Sequence, residues 1–116
     1  MTTPKRKNLN KKRRVQGETR FKLELIQRAI GGTIETTPTG WSLLVVNVNG
    51  LELHAEGCLW GHRATIRIFY PASRDNRHDE YQVKSQNSKT IIAAIEVIKA
   101  CANMEGVRDG LESVSV

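Results

Sequence analysis

Apolar positions along the chain change their spacing twice, and each spacing predicts a different element. Phe21, Leu25, Ile26, Ala29 and Ile30 recur at intervals of three and four, and Glu18/Lys22 and Glu24/Arg28 are i,i+4 pairs with the acid first. This spacing predicts an amphipathic helix beginning near Glu18 and closed by Gly31-Gly32. A β region follows. Thr33 to Thr37 leads into a turn at Pro38-Thr39-Gly40, and the bulky and β-branched run Trp41 to Val48 predicts a strand buried on both faces. Asn49-Gly50 is the dipeptide that best tolerates the positive φ angles of a type I′ hairpin turn. Beyond it, Leu51, Leu53 and Ala55 alternate with Glu52, His54 and Glu56, the period-2 signature of a half-buried strand. Gly57 to Gly61 reads as a connection, after which Ala64, Ile66, Ile68 and Tyr70 alternate with Thr65, Arg67 and Phe69 until Pro71 removes a backbone donor.

The polar stretch Ala72 to Glu80 has no apolar period and reads as an exposed loop, with a short strand at Tyr81 to Lys84 after it. Ser88 is placed to cap a last helix, in which Ile91, Ile95, Ile98 and Ala102 form a stripe that Ile92, Ala94 and Cys101 widen. Gly106 is its expected stop, and Val107 to Val116 has little to anchor it. The expected fold is α+β: a two-layer sandwich in which one helix before and one after cover an antiparallel sheet of four or five strands. With 116 residues and 39% apolar content, one domain over residues 18–106 is expected, with a basic arm at 1–17 and a frayed tail at 107–116. The order helix, antiparallel sheet, helix is similar to that of double-stranded-RNA-binding domains. Those domains carry a lysine cluster at the start of the last helix, whereas only Lys89 follows Gln86-Asn87-Ser88 here. The likeness is therefore one of element order, and order alone does not carry function.

Charge changes this picture more than composition does. Of the net +6, the first twenty residues hold +7, from Lys5, Arg6, Lys7, Lys11, Lys12, Arg13, Arg14 and Arg20 against Glu18 alone, which leaves −1 for the remainder. Residues 2–16 contain only Leu9 and Val15 as larger apolar side chains, too few to offset the entropy of ordering the backbone, so this segment is expected to be disordered when free. Dense Lys and Arg neutralise phosphates and release counterions without needing a fixed fold, which points to nucleic acid. The clusters Lys5-Arg6-Lys7 and Lys11-Lys12-Arg13-Arg14 also fit a two-part nuclear import signal or an acidic protein surface. Membrane phosphates are disfavoured because no apolar anchor accompanies the charge.

Secondary contacts are expected from Lys22, Arg67, Phe69 and Trp60, since a base can stack on an exposed ring beside a cation. Each of the aromatics Trp41, Trp60, Phe69, Tyr70 and Tyr81 has an alternative role in the core, with Trp60 the best candidate for exposure. His54, Cys58 and His62 have a four-residue spacing that aligns ligands on a helix, but this segment reads as strand and turn, so no metal or other cofactor is expected. Asp75, His78, Asp79 and Glu80 read as a solvated loop, and Cys58 and Cys101 as free thiols. No nucleophile elbow, phosphate-cradling glycine loop or HExxH motif occurs, which argues against an enzyme. The longest uncharged apolar run, Trp41 to Val48, is far short of the roughly 20 residues of a membrane span, and no secretory signal precedes it. An intracellular protein is expected, cytoplasmic or, in a eukaryotic setting, nuclear.

These residues support a small non-enzymatic nucleic-acid-binding protein whose arm contacts phosphates and whose body positions or oligomerises it, a homodimer included. The alternative is an interaction module, such as a viral or mobile-element inhibitor of a host complex, acting through its sheet face or the 72–80 loop. DNA and RNA, single strand and duplex are not distinguished by the sequence.

Overall fold

In a computed structural model, which describes residues 4–71 and 80–101 and the side chains of 11–71 and 82–101, the chain forms two helices and one five-stranded sheet. Helix α1 (Pro4–Ile30) is followed by strands β1 (Thr33–Thr36), β2 (Ser42–Val48), β3 (Leu51–Trp60), β4 (Arg63–Pro71) and β5 (Glu80–Ser85), then helix α2 (Ser88–Ala100). All neighbouring strands pair antiparallel in the order β1-β2-β3-β4-β5, a meander with both helices against one face. The α+β sandwich expected from the pattern is the fold observed.

Asn49 and Gly50 both take positive φ, 54° and 82°, the combination a two-residue type I′ turn requires, and Val48 and Leu51 pair across it. This sets the β2–β3 register, so that Leu44 and Val46 on β2 lie beside Ala55 and Leu53 on β3. With Ile66, Ile68 and Tyr70 of β4 and Val83 of β5 they form the inner face, closed by Leu23 and Ile26 from α1 and Ile91, Ala94, Ile95 and Ile98 from α2. Tyr70 keeps its hydroxyl satisfied in this core by donating to the Val48 carbonyl at 2.9 Å.

Several local expectations are corrected. Helix α1 starts at Pro4, so it takes in much of the basic segment as well as the expected helix. Its buried face is Val15, Thr19, Leu23 and Ile26 with Ile30 beside them, while Phe21 is 61% exposed and Ala29 also faces outward. The spacing 15, 19, 23, 26, 30 is one continuous helical stripe, and reading Val15 as isolated concealed it. Strand β2 is buried on one face only, since Leu43 and Val45 on its other face are half-buried and no second layer covers them among the described residues. Gly57 to Trp60 is strand, and the connection shrinks to Gly61-His62. Asn87, not Ser88, caps α2, its side chain accepting from the Lys89 amide at 2.9 Å. Helix α2 ends at Ala100, before the expected stop. The 72–79 part of the expected loop, Ala102, Gly106 and the tail lie outside the described residues.

Gly57 is required where α1 crosses the sheet. A Cβ there would lie 2.5 Å from Thr19 Oγ1 and 2.6 Å from Thr19 Cβ, so the helix approaches β3 as closely as it does only because this position has no side chain. The buried Thr19 hydroxyl returns its hydrogen bond to the Gln16 carbonyl at 2.9 Å, one turn back in its own helix. That contact sets where the basic part of α1 lies relative to the strands.

Candidate nucleic-acid interface

Between Pro4 and Ile30 the chain carries ten Lys and Arg residues and two Glu, so the charge surplus is concentrated on one helix. Lys5, Arg6 and Lys7 lie on its first turns. Lys12, Arg13 and Arg14 are exposed and Lys11 half-buried, spread around the helix because successive residues are about 100° apart at 3.6 per turn. Arg20 is partly committed, 3.7 Å from Glu24 and 3.5 Å from the Thr36 hydroxyl.

The two flanks of α1 meet different parts of the sheet. On one side Gln16 donates to the Thr39 carbonyl at 3.1 Å, tying the helix to the β1–β2 turn. On the other, Lys22 Nζ donates to the Ala64 carbonyl at 3.0 Å and Lys11 Nζ meets His62 Nδ1. This second flank and the β3–β4 turn enclose an open cleft of about 360 Å³, lined by Arg14, Val15, Glu18, Lys22, His62, Arg63, Ala64 and Gln86. Its charge is predominantly positive: Arg14, Lys22 and Arg63 face one carboxylate, Glu18, and none of the three lies within ion-pair distance of a carboxylate among the described residues. Arg63 is oriented by Gln86, whose Oε1 accepts from its guanidinium at 3.3 Å.

The outer face of the sheet, which no helix covers among the described residues, carries the other expected contacts. Arg67 lies 4.7 Å above the Phe69 ring and 3.6 Å from Glu56, with its Nε buried and lacking an acceptor, so its guanidinium is held by protein groups. Lys84 Nζ lies 3.7 Å from the Trp60 ring centroid, and the residue remains 59% exposed. That contact spans β4. The register puts Thr65 at its midpoint, which accounts for Thr65 being 3% exposed on an otherwise open face.

His54 and Cys58 lie on this same outer face, and His54 pairs with Glu52 at 3.0 Å. With His62 in the turn beyond, they form no group of three metal-ligating side chains, and no such group occurs elsewhere among the described residues. Burial raises the Cys58 thiol above its ordinary value, with Arg67 opposing the shift. Asp75, His78 and Asp79 lie outside the described residues, as does the side chain of Glu80. Among the described residues, no helix is long and apolar enough to cross a membrane.

The cleft escaped the sequence reading because its members come from α1, the β3–β4 turn and the residues before α2, which only the crossing of α1 over Gly57 brings together. Lys84 escaped it too, since its contact with Trp60 depends on a register across three strands. Neither family models, curated proteins nor solved structures give a match to this chain.

Proposed function

We propose that the protein binds nucleic acid without catalysing a reaction, through the basic N-terminal half of α1, and that the α+β body positions this helix or joins it to a second copy. The observation behind this reading is the division of labour on α1. Packing on the sheet uses Val15, Thr19, Leu23 and Ile26, and leaves Lys12, Arg13 and Arg14 outside that stripe. Such like charges repel one another along a helix and contribute nothing to the core, whereas phosphates neutralise them with release of counterions.

Anisotropy titrations with labelled DNA and RNA at ~50 and ~200 mM salt test it. Engagement of about five duplex phosphates gives a slope of log affinity against log salt of roughly −4.5, a several-hundredfold loss between the two conditions. Changing Lys11, Lys12, Arg13 and Arg14 together to Gln keeps helix propensity and should flatten that slope by about 3 to 4. An unchanged slope, or no binding at the lower salt, refutes the reading.

A second reading has its own support. Leu43, Val45 and Phe69 are only half-buried on the uncovered sheet face and Trp60 is exposed, a surface suited to a protein partner. It takes first place if the full chain binds no nucleic acid.

A further inference from the structure

We infer that the preferred ligand is an unpaired strand that rounds the β3–β4 hairpin tip, with one phosphate in the cleft on the α1 side and a base of the same strand stacked on Trp60 on the outer face. This rests on the nucleic-acid reading above and specifies the form of its ligand. Two independent features flank the tip of the β3–β4 hairpin, the cleft on the side of α1 and Trp60 on the opposite, outer face, with Arg63 of the tip lining the cleft. The first is the cleft, where Arg14, Lys22 and Arg63 converge with His62 on a space of about 360 Å³, ample for a phosphate and its water. The second is the exposed indole of Trp60. Trp60 and Arg63 are the last ladder pair before the turn, so their Cα atoms are about 5 Å apart, and Arg63 itself lines the cleft.

An aromatic side chain at the tip of a hairpin ordinarily gains by folding back onto apolar surface. Trp60 instead remains 59% exposed, and its ring is held by the Lys84 ammonium at 3.7 Å. That contact favours one placement of the ring, so less side-chain freedom is lost when a base stacks on it. Lys84 adds a cation on the outer face for the strand to follow. Charge and an aromatic ring one ladder step apart are the two components of single-strand recognition: the cations hold the backbone and the ring takes whichever base is next. A duplex satisfies only the first, because its bases are stacked and paired with each other. Phe69 adds no second platform of this kind, since it is half-buried beneath Arg67.

The test is the ratio of affinities for an unstructured oligo(dT) or oligo(rU) and for a duplex of equal length, measured by anisotropy on the full chain and on Trp60→Leu and Trp60→Phe. The wild type should favour at least one single strand over the duplex, and Trp60→Leu should reduce that preference by about tenfold or more, the value of one stacked base. Trp60→Phe, which retains a ring, should keep most of it. A wild type that favours duplex, or a ratio that Trp60→Leu leaves unchanged while circular dichroism shows the variant folded, overturns this inference and leaves the basic helix as the binding element. Binding to neither form at ~50 mM salt overturns the nucleic-acid reading along with it.

Discussion

The two helices cover the same sheet face and could hardly differ more in what they present to solvent. Helix α2 has thirteen residues, and Ile91, Ala94, Ile95 and Ile98 are completely buried. Helix α1 is twice as long, 27 residues, yet in its described part it buries only Val15, Thr19, Leu23 and Ile26. A helix whose purpose is to close a core needs a broad apolar face and little length. One that buries a narrow stripe and carries ten basic residues has most of its surface left for a partner. The comparison teaches that packing and binding are separable on α1 by position around the helix, and variants can test that separation.

The largest effects are expected in the stripes. Leu23→Ala in α1 and Ile95→Ala in α2 each remove a fully buried aliphatic side chain and should cost about 2–5 kcal/mol in urea unfolding. A markedly smaller loss for Leu23→Ala would mean that α1 docks weakly and that the comparison overstates its structural role. Next comes Gly57→Ala, which pushes a methyl group against Thr19 and should cost about 1–3 kcal/mol by forcing α1 away from β3. Because the cleft depends on that crossing, the same variant should also weaken binding of a single strand.

A smaller change, about 1 kcal/mol, is expected for Asn87→Ala, which removes the cap of α2 without touching the basic surface. It should leave the salt dependence of binding as it is. Substituting Lys12 and Arg13 together by Gln should move stability by no more than about 0.5 kcal/mol, since both are exposed, while weakening nucleic-acid binding. A stability loss comparable to that of Leu23→Ala would show that the charged positions serve the fold after all. The smallest effect is chemical. In a Cys101→Ser background, Cys58 should react with iodoacetamide at pH 7.5 more slowly than an unshifted thiol, because its raised pKa leaves less thiolate. Faster alkylation would place Cys58 in a more exposed, more cationic setting than the outer face of β3.

Much of the architecture was legible because it depends on local chemistry. Asn49-Gly50 can hardly be read as anything but a tight hairpin turn, and the alternation from Leu51 to Ala55 and from Ala64 to Tyr70 assigns inner and outer faces without knowledge of neighbours. The stripe on α2 was legible for the same reason, through the spacing of its isoleucines. Val15 was not, since one valine among lysines and arginines gains meaning only when Thr19 is seen to be buried, and a threonine is not counted as apolar.

By itself, then, the amino-acid order determined the Asn49-Gly50 turn, the alternating faces of β3 and β4 and the concentration of positive charge near the N-terminus, each a consequence of interactions within a few residues. Only the tertiary structure decided which surfaces that charge would share. Gly57 lets α1 cross β3 closely enough for Lys22 to reach Ala64, and the β3–β4 register pairs Arg63, which lines the cleft, with Trp60 on the outer face. The β4–β5 register does the same for Lys84, whose contact with that ring crosses the whole of β4. Arg14 and Arg63 are forty-nine positions apart in the chain, and no periodicity can report a proximity created by the packing of one element on another.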